Sequence, residues 1–161
     1  MDPLSALGSL IAVIEASGKL TSSLYRLVRG VHAAKENIDD FALHVSTFSD
    51  VLFTAYSCLQ NHYTKRTNLG ILDDVQRQNL LGKIAERAKR IRKDLRKIRP
   101  RMKSLRGDDL QLIAKIKWHL RRSEVDSLKL QMTSLEQTLN TLLSVVNYEL
   151  QEQQGGDPIR S

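Results

Sequence analysis

Between Ile38 and Leu59 the apolar residues Ile38, Phe41, Val45, Phe48, Leu52, Ala55 and Leu59 recur at alternating steps of three and four. That rhythm is the one face of an α-helix, and it excludes a half-buried strand, whose side chains alternate with period two. It pervades the chain. Leu4, Leu7, Ile11 and Ile14, widened by Leu10 and Val13, mark a first helix opened by Asp2 and Pro3. After Gly18, where a break or bend is expected, Leu20, Leu24, Leu27 or Val28, and Val31 form a second stripe. The Ile38 helix extends from about Glu36 to His62 and gives way to a loop over Thr64 to Leu72.

Asp73 and Asp74 favour the start of a long helix, since acidic groups stabilise a helix N-terminus. It carries Ile84, Ala88, Ile91, Leu95, Ile98, Met102 and Leu105, with a kink or restart at Pro100. Gly107 and Asp108 read as a stop and a cap, ahead of a short helix with Leu110, Ile113, Ile116 and Trp118. Ser123 to Asp126 resembles a capping box, and the last helix follows with Leu128, Met132, Leu135, Leu139, Leu142, Val146 and Leu150. From Gln151 the sequence turns polar and a frayed end is expected. The expected fold is all-α: an elongated antiparallel bundle of four to five main helices over residues 1–154, with a flexible tail at 155–161. The two longest helices, around 73–105 and 123–154, pack against each other.

With 161 residues the chain suits one domain with a real core. Its single cysteine, Cys58, excludes an internal disulfide framework and a cysteine-based metal cluster, and fits a reducing compartment. The uncharged run Pro3–Ile14 is shorter than the roughly 20 residues a bilayer span needs. It is preceded by Asp2 rather than by a basic segment, so it does not read as a secretory signal. A cytoplasmic protein is expected, with recruitment to the plasma membrane through the charge described next.

Lys83 to Arg106 (KIAERAKRIRKDLRKIRPRMKSLR) holds 12 Lys or Arg among 24 residues, opposed only by Glu86 and Asp94. Its net +10 exceeds the +7 of the whole chain. Lys89, Lys93, Lys97 and Arg101 succeed one another at spacing four, as do Arg92 with Arg96 and Arg99 with Lys103. Like charges at that spacing each destabilise a helix by about 0.2–0.5 kcal/mol, a cost that an anionic partner would relieve. These eight residues are the candidate anionic-surface site. Anionic membrane lipid is the expected partner, since each Lys or Arg near an acidic membrane contributes about 1 kcal/mol. Nucleic acid fits less well, because no aromatic residue that could stack on bases occurs between Lys83 and Lys117. The plain alternative is a solvated charged face, partly paired with carboxylates elsewhere in the bundle.

No catalytic constellation stands out, and neither an enzyme nor a cofactor is expected. Ala16–Thr21 glances at a phosphate-binding loop, but Val13 and Leu20 occupy the positions that need Gly and Ser or Thr. The four histidines share no ligand spacing, Cys58 reads as an inert apolar filler, and the Asp pairs sit near helix starts.

Two stretches carry a resemblance. The opening MDPLSALGSLIAVIEASGKLTSSLYRLV is similar to the N-terminal helical domains of the fungal HeLo-like group, which precede nucleotide-binding or ankyrin modules in NLR-like (STAND) receptors. KWHLRRSEVDSLKLQMTSLEQTLNTLL resembles the later signature of that group, through Trp118, Arg122, Glu124, Leu128, Leu135, Leu139 and Leu142. The likeness covers about residues 1–150. It implies an effector or signalling bundle that acts in regulated programmed cell death by targeting the membrane, as in the four-helix domain of the necroptosis pseudokinase. It also implies that the N-terminal helix is the disrupting element, here Leu4, Leu7, Leu10, Ile11, Val13 and Ile14. A homo-oligomer and a downstream sensor or nucleotide-binding module in a longer protein are further implied partners, although no such module lies within these residues. The basic helix maps to no motif of the group.

Read from its residues alone, the first helix is a central helix buried all round. The competing function is a protein-interaction or oligomerisation module without lipid contact, which exposed apolar surface near Leu143 and Val145 would serve. A basic nucleic-acid-binding bundle is the third.

Overall fold

The computed structural model describes residues 3–30, 35–64, 74–103 and 111–155. They form four helices: α1 (Pro3–Gly30), α2 (Lys35–Thr64), α3 (Asp74–Lys103) and α4 (Gln111–Gly155). The fold is an all-α bundle, as the spacing predicts, and there is no strand among the described residues. The expected stop and cap at Gly107 and Asp108, most of the Thr64–Leu72 loop and the tail beyond Gly155 lie outside the described residues.

Three local expectations are corrected. α1 runs unbroken through Gly18, because Val13 and Leu20 on either side are both fully buried in one stripe. A glycine costs a helix interior only about 1 kcal/mol, less than burying one such side chain gains. The short helix and the last helix are one 45-residue helix, α4, about 67 Å long. Trp118 and Val125 lie seven residues apart, two turns on one face, and both are buried, while no Gly or Pro interrupts the run between them. Ser123 to Asp126 is therefore helix interior rather than a cap. The polar stretch after Gln151 remains helical as far as Gly155.

Pro100 is tolerated inside α3, which continues to Lys103. The proline is exposed, so the carbonyl it leaves without an intrahelical donor is on the solvent side, where water can serve it.

α1 packs against α2 and α3, and α4 packs against the same two; α1 and α4 are diagonal, as are α2 and α3. Arg87 meets Ser134, Asp94 meets Gln131 and Arg101 meets Glu124, so numbers rise on α3 as they fall on α4, an antiparallel pair. Four residues join α1 to α2, which makes that pair antiparallel too. α1 and α3 run side by side in one direction, with Arg99 at Ser23. α2 and α4 are consequently parallel, tied by Lys129 and Asp40.

The core joins all four helices. Phe41, Phe48, Leu52, Ile84, Leu95, Met132, Leu135 and Leu139 are each no more than 1 % exposed. Alanines at 6, 42, 55, 85 and 88 line the core on α1, α2 and α3, where small residues let helix axes approach. α1 is not buried all round, however. Ser5, Gly8, Ile11, Glu15, Lys19, Ser22 and Tyr25 form an exposed stripe, because only two helices cover it.

Candidate anionic-surface site

The site is built on α3, whose buried side holds Ile84, Ala88, Ile91, Leu95, Ile98 and Met102. Anchoring that stripe turns positions 89, 92, 93, 96 and 97 outward together, since residues three, four, seven and eight apart share a helix face. Lys89, Lys93, Arg96 and Lys97 are exposed and Arg92 is half-buried, and the five line one shallow surface hollow. None of them has a hydrogen bond or ion pair with a described residue. This is the uncompensated part of the charge.

The remaining cations divide by direction. Toward α4, Arg101 is paired with Glu124, a carboxylate that Arg121 also approaches at 3.5 Å. Arg87 donates to the Ser134 carbonyl at 3.1 Å and to the Thr138 hydroxyl. Arg90 pairs with Glu86 at 2.7 Å on α3 itself, with both side chains largely in water. Toward α1, Arg99 Nε donates to Ser23 Oγ at 3.2 Å, and that hydroxyl passes its own proton to the Lys19 carbonyl at 2.9 Å. The side chain of Lys103 lies outside the described residues. Asp94, which with Glu86 is one of two carboxylates in Lys83–Arg106, accepts from Gln131 Nε2 at 2.9 Å. Its hydrogen bond points to α4, away from the outward face.

A carboxylate from a neighbouring helix is thus paired with Arg101 and not with Lys93 or Lys97. The sequence missed Glu124 and Gln131 as partners of α3. Glu124 was hidden because it looks like part of a cap, and its true neighbour is set by the register of α3 against α4.

The expected disrupting residues fall on two sides of α1. Leu7, Leu10 and Val13 are core residues at 5 % exposure or less, and Ile14 packs against them partly buried. Ile11 is exposed at 40 %, and the side chain of Leu4 is outside the described residues. Among the described residues no helix is long and apolar enough to cross a membrane. Leu143 packs on the core and Val145 is half-buried, so the expected apolar interaction surface is not displayed there. Other exposed apolar side chains include Leu43 and Phe53 on α2 and Leu120, Leu130 and Tyr148 on α4. Cys58 is exposed, not a core filler; the buried neighbour is Leu59.

Lys129 and Asp40 join α4 to α2 at 2.8 Å. The hydrogen bond and charge of Lys129 hold the Asp40 carboxyl below its ordinary pKa, with a small further contribution from His44 against a slight opposing effect of burial.

Set against protein-family models, curated proteins and solved structures, the chain matches none of them.

Proposed function

We propose that this bundle is a peripheral docking module for acidic membrane surfaces, the resting form of an effector or signalling domain of HeLo-like type acting in regulated cell death. One observation carries it: Lys89, Arg92, Lys93, Arg96 and Lys97 share an outward face and none of them is paired with a carboxylate among the described residues, although Glu15 and Asp94 flank the face. At about 1 kcal/mol for each cation near an acidic bilayer, the five together contribute about 5 kcal/mol to reversible adsorption. Acidic lipid is favoured over polynucleotide because the face presents cations without an aromatic stacking platform. α1 is the reserve element. Leu7, Leu10 and Val13 are in the core and Ile14 packs on it, so insertion follows docking only after α1 leaves α2 and α3.

The test is flotation with neutral and acidic vesicles over a range of salt. Binding that needs acidic lipid and falls steeply with salt is expected. Equal binding to neutral vesicles, or tighter salt-dependent binding to a polynucleotide, would replace this reading.

A further inference from the structure

The two flanks of α3 are unequal. α4 supplies acceptors to the cations that face it: a carboxylate to Arg101, and a carbonyl and a hydroxyl to Arg87. α1 has a single acidic residue, Glu15, in its whole length. Yet α1 and α3 flank a cleft of about 100 Å³, open to solvent, that Lys19, Arg92, Arg96 and Arg99 line. Ala12 and Ala16 form the α1 wall, and their short side chains leave the space open. Glu15 also lines it, but makes no ion pair with a described residue.

Arg92 is half-buried and its guanidinium meets no acceptor among the described residues. Arg99 is half-buried as well and uses only Nε, on Ser23. No nitrogen of either guanidinium is buried without a partner, so both heads stay within reach of a solvent-borne ligand, and the planar fork matches the oxygens of a tetrahedral oxyanion. Four cations against one carboxylate leave the cleft at +3. That suits an anion of nearly two charges and three free oxygens, which a phosphate monoester presents and a phosphodiester does not.

We propose that the cleft between α1 and α3 binds one phosphate monoester, either a lipid headgroup or a soluble phosphate, and that the bound anion ties α1 to α3. The proposal deepens the docking reading, because Arg92 and Arg96 belong to both the outward face and the cleft, while Lys19 and Arg99 belong to the cleft alone. Lys89, Lys93 and Lys97 belong to the face alone, so the two can be separated.

The full chain is floated with phosphatidylcholine vesicles containing phosphatidic acid, a monoester, or phosphatidylserine at matched surface charge. Thermal unfolding is followed in inorganic phosphate and in chloride at equal ionic strength. A preference for phosphatidic acid of about tenfold is expected, the worth of one charge-assisted hydrogen bond. It should vanish in Lys19→Gln/Arg99→Gln and persist in Lys89→Gln/Lys93→Gln. Arg99→Lys, which keeps the charge and loses the fork, should lower the preference without weakening phosphatidylserine binding, and it guards against misfolding of the double variant. Inorganic phosphate should raise the melting temperature of the wild type and not that of Arg99→Lys. A phosphate-specific rise without any vesicle binding removes the docking reading, keeps the cleft, and identifies a soluble source. Equal binding to both vesicles with no phosphate-specific rise overturns the cleft and leaves docking standing. A preference that survives in the double variant and in Arg99→Lys overturns it too.

Discussion

Replacing Lys93 by Gln separates two consequences of one charge arrangement. Lys93 is exposed, has no partner among the described residues, and stands four residues from both Lys89 and Lys97. The substitution removes two like-charge spacings at about 0.2–0.5 kcal/mol each, and Gln is as good a helix former as Lys. The bundle should therefore gain about 0.4–1 kcal/mol. The same change removes one cation from the docking face, about 1 kcal/mol or roughly a fivefold fall in partition onto acidic vesicles. Urea unfolding followed by circular dichroism reads the first effect as a raised midpoint with unchanged slope. Flotation reads the second. Lys129→Gln is the control: that ammonium is bound to Asp40 at the α2–α4 edge, so its loss lowers stability slightly and leaves vesicle binding near the wild-type value. A lowered urea midpoint for Lys93→Gln would show that its ammonium is paired after all. Equal losses of binding in both variants would show that net charge, not this face, drives association.

Gly18→Ala should stabilise the bundle by about 0.5–1 kcal/mol, seen as a melting temperature about 2–3 °C higher, because the helix is continuous there and an added methyl group meets no atom within 4 Å. Ser17 is fully buried with a hydroxyl that has no partner, so Ser17→Ala should be neutral or stabilising by up to about 1 kcal/mol in urea unfolding, opposite to the usual result of trimming a core side chain. Phe48→Ala, which empties a fully buried position, should cost about 3–5 kcal/mol by the same measurement. Asp40 has a lowered folded pKa, so its contribution is present above the ordinary Asp value of about 3.9 and is lost as pH falls through the lower folded value. Because the Asp40 side chain is largely exposed, wild type and Asp40→Asn should differ by less than about 1 kcal/mol near neutral pH, and their urea midpoints should converge below about pH 4.

The helices were legible because burial and spacing agree residue by residue. All seven apolar positions of the Ile38–Leu59 stripe are buried, as are Ile84, Ala88, Ile91, Leu95, Ile98 and Met102 on α3. The errors arose where a local signal competed with packing. Gly18 and the cap-like Ser123–Asp126 are weak stop signals, each overridden by apolar residues that stay in phase across them. Of the order of the helices around the bundle only the antiparallel pairing of α3 and α4 was legible, since a 3.6-residue period says which face is buried and not which neighbour covers it. The same gap explains the cationic site. Five of the eight charges are on one unpaired face, as helical spacing alone allows, but the partners of Arg101 and Arg99 depend on which helix stands beside α3.

The arrangement also sets docking and insertion against each other. α1 is the helix that would enter a membrane, yet Ala6, Leu7, Leu10 and Val13 are core residues, and of the cations beside it Lys19, Arg92 and Arg96 have no side-chain acceptor among the described residues. An acidic headgroup held between Lys19 on α1 and Arg92 and Arg99 on α3 would add a bond between the two helices and so hold α1 in place. Docking on acidic lipid is then not itself the trigger for release; a further event has to cost α1 its contacts with α2 and α3. Truncating residues 1–16 cannot probe this, because it removes four core side chains and tests folding instead. Ile11→Asp can, since Ile11 is the exposed apolar residue among the described candidates and its charge would oppose entry into lipid while leaving the core intact. Vesicle leakage that is abolished while flotation is retained would place insertion after docking on α1; leakage that persists unchanged would take α1 out of the insertion step.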